Sequence, residues 1–160
     1  MEEDMPNYSD ANFTMRLSYG QVGEYLLAGK PSGYYTTAES MVEKMILGEK
    51  GVIDYETEPI MKELLSKKDF GKYTDKTTGK MHLCFLSNND ITGGNSGSPM
   101  FNGKGELIGL AFDGNWDSLS SDIFFDKQLT RCIGVDIRYV LYMMESWEKA
   151  DRLIKEIGAK

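Results

Sequence analysis

A glycine-rich loop around a single serine is the feature of this 160-residue sequence that carries the clearest chemical signal. Residues 93–99 read GGNSGSP. A nucleophilic serine has to stand on a tight turn, and backbone N–H groups have to converge on the oxyanion that develops beside it. Glycine permits the φ > 0 conformations that such a turn needs. The loop therefore predicts acyl transfer, with Ser96 as the nucleophile and the N–H groups of Gly94 and Ser96 as the oxyanion hole.

Three other interpretations of this loop are possible from its sequence. A phosphate-binding loop is disfavoured because the Gly-Lys-Ser/Thr ending is missing. A lipase-type nucleophile elbow is disfavoured because a hairpin, signalled by the Asn-Gly pair of residues 102–105 (NGKG), follows the serine where that elbow has a helix. A plain glycine turn without chemistry is the usual explanation of an isolated GxSG. The longer pattern, GxSGxP followed by a strand and a hairpin, favours the nucleophile.

Four nearby residues could also take part. His82 is the only histidine in the sequence, but it lies on an expected buried strand, so we expect a structural role. If the substrate is a peptide, Asp90 could bind a basic side chain on the residue whose carbonyl Ser96 attacks (P1). It could instead hydrogen-bond the amides of its own turn, and this second role is favoured. Asn95 stands where zymogen-derived peptidases carry an aspartate, so activation by N-terminal cleavage is not expected. Trp116 could line a pocket or anchor the hairpin.

The remaining sequence predicts the elements that hold the loop in place. Residues 14–22 alternate apolar and polar side chains, which is typical of a half-buried strand. Thr36 followed three residues later by Glu39 predicts a capping box and a helix, and Pro59 predicts the start of a second helix. Residues 67–80 are polar and form an expected surface connection.

Two short apolar runs and a terminal periodic segment complete the expected fold. Residues 81–86 and 107–112 have the length and composition of buried strands. Apolar residues at helical spacing predict one C-terminal helix over 137–160. The expected division is 1–80 (strand plus helices), 81–136 (β-rich core with the nucleophile loop) and 137–160 (the terminal helix), all as one structural unit.

Composition excludes several classes of function. A net charge of −7 argues against a nucleic-acid partner, because phosphate binding needs clustered cations. The sequence has no apolar stretch near the ~20 residues that span a bilayer. The acidic residues 1–6 do not resemble a secretory signal. The two cysteines, Cys84 and Cys132, are expected to be free thiols within apolar strands, and no metal or other cofactor is expected.

Several long motifs resemble the S46 family of bacterial dipeptidyl-peptidases, and together they cover nearly the whole chain. These motifs are residues 10–14 (DANFT), 16–20 (RLSYG), 89–99 (NDITGGNSGSP), 112–116 (FDGNW) and 135–141 (VDIRYVL). The resemblance implies a chymotrypsin-type double β-barrel with a helical insertion. It also implies a homodimer in the periplasm or at the surface of a Gram-negative bacterium that releases dipeptides from peptide N-termini.

The resemblance also implies roles for individual residues. Ser96 matches the family's nucleophile, and Asp113 matches an acidic residue that helps to hold the substrate's α-amino group. Gly114 matches the position that divides the family, where glycine goes with apolar or aromatic P1 residues and arginine with acidic ones. The implied fold of this chain is mainly β with α: the end of the helical insertion, the second barrel and a terminal helix.

The catalytic histidine and aspartate of the family lie far upstream in the first barrel. The chain is therefore expected to be inactive by itself, since acylation by Ser96 needs a base. Two alternatives remain open. One is an independent peptidase that uses His82 or a lysine as an unusual base. The other is a non-catalytic barrel module that serves binding or dimer assembly.

Overall fold

A computed structural model of the chain describes residues 15–119 and 125–159, and the motif at residues 10–14 lies outside them. The helices are α1 (Ala38–Glu49), α2 (Pro59–Leu65), α3 (Ile137–Ser146) and α4 (Asp151–Glu156). The strands are β1 (Leu26–Leu27), β2 (Lys30–Pro31), β3 (Tyr35–Thr37), β4 (His82–Ser87), β5 (Pro99–Phe101), β6 (Leu107–Gly114) and β7 (Cys132–Asp136). The fold is a mixture of α and β, and the expected strands near 81–86 and 107–112 are confirmed.

Five strands form one antiparallel sheet in the order β3-β4-β7-β6-β5. Cys84, Val135 and Leu110 lie side by side on β4, β7 and β6. Strands β5 and β6 form the expected hairpin, whose left-handed residue is Gly105 with φ +78°. The hairpin places the glycine–serine loop directly before β5, at one end of the sheet.

The predicted strand over 14–22 is wrong for the residues that the structure describes. Only Val22 makes an isolated bridge, to Ser87, and flanking hydrogen bonds join Gly23 N to Leu86 O and Asn88 N to Gln21 O, both at 3.0 Å. Farther towards the N-terminus, Met15 is fully exposed. The segment therefore extends the edge of β4 for three residues only, although its apolar–polar alternation is that of a strand.

The N-cap of helix α1 lies one residue later than predicted. Thr37, not Thr36, is the N-cap, and its partner in the capping box is Ser40, not Glu39. The Thr37 side chain accepts from Ser40 N, and the Ser40 hydroxyl accepts from Thr37 N. Helix α2 begins at Pro59, as expected, because proline's missing N–H is not needed in the first turn.

The predicted single C-terminal helix is interrupted. Helix α3 ends at Ser146 and α4 begins at Asp151. Lys149 has φ +53°, and Ala150 N donates to Met144 O at 2.8 Å. The chain therefore closes over the seven residues from Met144 to Ala150, and it does so with a lysine in the left-handed conformation that glycine usually adopts. Because the left-handed residue is a lysine and not a glycine, the spacing of apolar residues did not predict this interruption.

The largest buried apolar cluster lies between the helices and β4. Its central residues are at most 7% exposed, and full burial of each large apolar side chain contributes about 1.5–3 kcal/mol. They come from α1, α2, α3, β4 and the connection before β4: Ala38, Met45, Leu64, Leu65, Phe70, Tyr73, Met81, Leu83 and Tyr142. The Tyr142 hydroxyl donates to Leu64 O at 2.8 Å, which satisfies its polar end inside the cluster.

An ion-pair cluster fixes the start of α3 to the connection before β4. Asp136 caps α3 by accepting from Arg138 N, and its two carboxylate oxygens accept from Nε and Nη2 of Arg138 at 2.9 and 2.6 Å. Arg138 Nη1 donates to Asp75 Oδ2 at 2.7 Å. Asp75 Oδ1 in turn accepts from the backbone N–H groups of Thr77 and Thr78. These bonds orient β7 and α3 relative to the residues that lead into β4.

Candidate active site

The loop that carries Ser96 consists of two consecutive turns, each with a left-handed glycine at its third position. Asn95 N donates to Thr92 O and Ser98 N donates to Asn95 O, and the two glycines, Gly94 and Gly97, have φ +92° and +83°. A type II turn needs φ > 0 at this position. The glycine pattern of the sequence therefore has a direct conformational cause, and Ser96 lies at the apex of the second turn.

Strand β6 holds this loop from one side. Gly97 N donates to Ala111 O at 2.7 Å, and Ala111 N donates to Ser98 O at 2.8 Å. Beyond Ala111 the register of β6 shifts against β7, so Phe112 is the extra residue of a β-bulge. The Ser96 hydroxyl is exposed and donates to the Phe112 carbonyl at 3.1 Å. The bulge thus turns one carbonyl group towards the serine.

The two backbone donors expected to form an oxyanion hole are available. Within residues 15–119 and 125–159, neither Gly94 N nor Ser96 N donates to a protein acceptor. Their neighbours Asn95 N, Gly97 N and Ser98 N are all occupied by the turns and by β6. Free N–H groups beside an exposed hydroxyl are what the stabilisation of a tetrahedral oxyanion requires.

Asp113 and Gly114 directly follow Phe112 on β6. Asp113 is exposed, and its Oδ1 accepts from Gly114 N at 2.8 Å. The next residue, Asn115, is 7% exposed; it donates to Leu129 O through Nδ2 and accepts from Arg131 N through Oδ1. The end of β6 is thereby fixed to the residues that precede β7. Asp113 and Gly114 therefore occupy defined positions beside the serine.

His82 lies far from Ser96, which removes it as a candidate base. It is two residues before Cys84 on β4, whereas Phe112 is two residues beyond Leu110 on β6, and Cys84 and Leu110 share one row across β7. The offset is about 13 Å along the strands and about 10 Å across them. His82 Nε2 contacts Thr78 Oγ1 at 2.8 Å, its ring stacks on Tyr35, and burial lowers its pKa. The expected structural role of His82 is supported.

The other nearby candidates occupy distinct positions. Asn95 Oδ1 accepts from Thr92 N at 3.0 Å, so this side chain closes the first turn. The carbonyl of Asp90 accepts from the Ser18 hydroxyl at 2.6 Å. Trp116 is 85% exposed and therefore does not anchor the hairpin by burial. Both cysteines are free thiols, of which Cys132 is buried and Cys84 half-buried.

Sequence reasoning missed two parts of the site. The first is the hydrogen bond from Ser96 to the Phe112 carbonyl, which depends on a β-bulge that the residue types in β6 do not predict. The buried Asn115 had a weak signal, since an asparagine between a strand and a short turn is a common side-chain cap for backbone groups. Among the described residues, no group of three or more His, Cys, Asp or Glu side chains could hold a metal, and no helix could cross a membrane.

Comparison with known proteins gives consistent matches along the chain. A Porphyromonas endodontalis protein named Dipeptidyl-peptidase 7 is 53% identical over 94% of this chain and 18% of its own length. A Porphyromonas gingivalis protein named Asp/Glu-specific dipeptidyl-peptidase is 39% identical over 99% of this chain and 22% of its own length. The crystal structure of Porphyromonas endodontalis DPP11 with the dipeptide Arg-Glu matches 98% of this chain and 22% of its own, with TM-score 0.84 and 36% identity.

The chain thus spans about a fifth of the length of these relatives. The match to the family extends over residues 1–159 and includes the serine loop, the bulged strand and both C-terminal helices. This chain belongs to the Peptidase S46 family.

Proposed function

We propose that this chain supplies the nucleophile and the oxyanion hole of a serine-type dipeptidyl-peptidase that releases dipeptides from peptide N-termini. The observation that carries the proposal is the exposed Ser96 hydroxyl between two left-handed glycine turns, where the N–H groups of Gly94 and Ser96 donate to none of the residues that the structure describes. We further propose that the sheet is part of the second barrel of a chymotrypsin-type double barrel. The preceding helices would then be the end of a helical insertion.

The reaction would proceed by acylation of Ser96. Its Oγ bonds to the carbonyl carbon of the second substrate residue while its proton passes to an imidazole from the first barrel. The Gly94 and Ser96 N–H groups hold the oxyanion. The C–N bond then breaks, and the leaving amine takes the proton from the imidazolium. Water attacks the ester, with the same imidazole as base, and the dipeptide leaves with its new carboxyl group.

Removal of dipeptides needs a group that recognises the free α-amine at a fixed distance from the scissile bond. Two extended residues span at most ~7 Å. Asp113 follows immediately after Phe112, whose carbonyl contacts Ser96 Oγ, and its carboxylate is exposed. An exposed carboxylate one residue from the carbonyl that contacts Ser96 is suited to bind an ammonium group. Asp113 is therefore our candidate for binding the substrate N-terminus.

Gly114 supports a preference for apolar or aromatic P1 residues. Glycine supplies no cation at this position, and a buried carboxylate of an acidic P1 residue would need a cationic partner. This chain is also more similar to the relative named Dipeptidyl-peptidase 7 (53% identity) than to the relative named Asp/Glu-specific dipeptidyl-peptidase (39%), which supports a P1 preference other than acidic. We propose that the P1 pocket adjoins Gly114.

The described residues bring no histidine to Ser96, so we propose that the chain alone is inactive and that the base comes from the first barrel of the full-length protein. The test is intact-mass analysis after incubation with a fluorophosphonate, which labels activated serines. We expect one adduct on the full-length protein and none on residues 1–160 alone. Ser96→Ala should abolish the adduct in the full-length protein, and Ser98→Ala, two residues away, should retain it.

Two results would contradict this proposal. A stoichiometric adduct on the isolated chain that Ser96→Ala removes would place a base within this chain. No adduct and no dipeptide release from the full-length protein would favour the alternative of a non-catalytic module for binding or dimer assembly. Release of free amino acids rather than dipeptides would retain Ser96 as the nucleophile but refute the role of Asp113.

A surface near the active site fits contact with the rest of the protein. Leu17, Tyr19 and Phe101 are 89%, 87% and 58% exposed and line one groove of about 470 Å³. Exposed apolar surface of this kind marks an interface. We propose that the first barrel covers it, that the full-length protein is a homodimer, and that it resides in the periplasm or at the surface of a Gram-negative bacterium.

A further inference from the structure

The side chain of Ser118 fills the space into which a side chain at position 114 would project. A Cβ atom added to Gly114 would lie 2.1 Å from Ser118 Oγ and 3.2 Å from Ser118 Cβ. The first distance is far below van der Waals contact, and the second is tighter than ordinary packing. The missing side chain of Gly114 therefore does not leave an empty slot, because a hydroxyl group occupies the nearest part of it.

Ser118 is held in this position by its own short turn. Its hydroxyl and its backbone N–H both donate to the Asn115 carbonyl, at 2.6 and 2.9 Å. Displacing the hydroxyl would break the first of these bonds. A typical hydrogen bond of this kind contributes about 1 kcal/mol.

The turn that carries Ser118 is itself anchored on two sides. Asn115 is buried and bonded to Leu129 and Arg131, as described above. On the other side, Asp117 Oδ2 accepts from the Tyr25 hydroxyl at 2.9 Å. Ser118 is thus presented to Gly114 by a rigid support, so a new side chain at 114 cannot simply push the turn away.

We propose that Ser118 is a second specificity-determining residue of the P1 pocket, acting together with Gly114. The inference rests on the proposed function of the site. As long as Ser118 has its hydroxyl, a side chain at position 114 is excluded and the pocket keeps its depth beside Gly114. Removing the Ser118 side chain deepens the pocket for larger P1 groups. It also creates the room that a guanidinium at position 114 needs to reach an acidic P1 side chain.

The test compares P1 preferences of the full-length protein and its variants. The variants are Ser118→Gly, Gly114→Arg and the double variant Gly114→Arg/Ser118→Gly. Substrates are dipeptidyl amides with alanine, phenylalanine or glutamate at P1, and kcat/KM is measured for each. We expect Ser118→Gly to raise the phenylalanine-to-alanine ratio. The glutamate-to-phenylalanine ratio of the double variant should exceed that of Gly114→Arg by about tenfold, a typical effect of pocket shape on specificity.

Ser40→Gly provides a matched control. The Ser40 hydroxyl donates to the Thr37 carbonyl three residues earlier at 2.8 Å, the same local bond that Ser118 makes to Asn115, but in α1. This variant should lose stability without changing any ratio between substrates.

The possible outcomes separate the two proposals. If the unmodified full-length protein releases no dipeptide, the proposed function and this inference are both overturned. If it releases dipeptides but Ser118→Gly changes all substrates by one common factor, only the inference about Ser118 is overturned. Because Gly114→Arg introduces a large side chain and could impair folding, the single variant Ser118→Gly decides the question without it.

Discussion

The hydroxyl of Ser96 donates to the carbonyl oxygen of Phe112 at 3.1 Å, and Phe112 is the extra residue of the bulge in β6. A backbone carbonyl fixes the direction of this hydroxyl but does not accept its proton at neutral pH. Ser96 is therefore oriented by this part of the fold, and the nucleophilic role that we propose for it requires a base from elsewhere. The contact also makes the geometry of Ser96 depend on that of the neighbouring strand.

Gly97→Ala is expected to damage the site by altering the turn after Ser96. Gly97 has φ +83°, and an added Cβ would meet nothing within 4 Å, so the cost is conformational, about 1–2 kcal/mol. Because small displacements of a nucleophile cost up to about 100-fold in rate, we expect about 10- to 100-fold slower fluorophosphonate labelling of the full-length protein.

Gly105→Ala is the matched control for that variant. Gly105 has φ +78°, also with nothing within 4 Å of an added Cβ, but it lies in the turn between β5 and β6. The free energy of unfolding should fall by a similar amount in both variants, while only Gly97→Ala slows labelling. Equal labelling rates in the two variants would show that the left-handed turn does not position Ser96.

The sequence was sufficient to predict the tight turns of the loop because their cause is local. Glycines at turn positions and a serine between them are features of a few consecutive residues, and the structure forms the expected turns there. Helix α2 was predictable for the same reason, since Pro59 marks a first helical turn by its own covalent geometry.

Features that depend on long-range packing could not be predicted in the same way. The alternation of residues 15–21 resembles a strand, but Leu17 and Tyr19 stay exposed because no described element covers them. Lys149 adopts a left-handed conformation that its residue type disfavours. The contact between Ser118 and Gly114 follows from the shape of the end of β6, which no periodic pattern encodes.

Asp113→Asn is expected to weaken binding of substrates with a free N-terminus. An amide cannot form an ion pair with an ammonium group, and hydrogen bonds between such charged partners contribute about 1.5–3 kcal/mol. We expect kcat/KM of the full-length protein to fall about 10- to 150-fold for dipeptidyl amides. N-acetylated analogues, which lack the charge, should be poor substrates of both forms to a similar degree.

Asp117→Asn tests whether that loss is specific to Asp113. Asp117 lies four residues along the chain, and its carboxylate accepts from the Tyr25 hydroxyl instead. Its substitution should change kcat/KM for free and acetylated substrates by the same factor. The role of Asp113 would be refuted if Asp113→Asn lowered both substrate classes equally.

The pairing of Asp75 with Arg138 is expected to make the fold sensitive to acid. Arg138 holds the pKa of the Asp75 carboxyl well below its usual value near 4, with help from the Thr78 and Thr77 N–H groups. A depressed pKa in the folded state contributes stability that is present above the unfolded-state pKa and is lost as the pH falls below it. The free energy of unfolding should therefore decline from about pH 4 downwards.

Asp75→Asn isolates this contribution. Its Oδ1 can still accept from Thr77 and Thr78, but its Nδ2 is a donor and cannot accept from Arg138 Nη1, so the charge and the hydrogen bond to Arg138 are both lost. We expect a loss of about 1–3 kcal/mol at pH 7 and a shallower decline below pH 4, measured by urea unfolding at each pH. Asp69→Asn is the control, since Asp69 Oδ1 also accepts from a backbone N–H two residues later, that of Gly71 at 2.8 Å, but Asp69 is exposed whereas Asp75 is half-buried. An unchanged acid dependence in Asp75→Asn would show that other carboxyl groups control it.

The two cysteines are expected to differ sharply in reactivity within the same molecule. Cys132 is 0% exposed on β7, and burial raises the pKa of its thiol from 9.0 to about 11. Cys84 on β4 is half-buried, and burial raises its pKa as well. Because the thiolate is the reactive form, we expect N-ethylmaleimide at pH 7.5 to modify Cys84 first and Cys132 only after unfolding in urea.

Peptide mapping by mass spectrometry assigns each adduct, and unfolded protein gives the reference rate for both thiols. Similar native rates at the two sites would mean that β7 opens readily, which would contradict a rigid attachment of the bulged strand β6 to its neighbour.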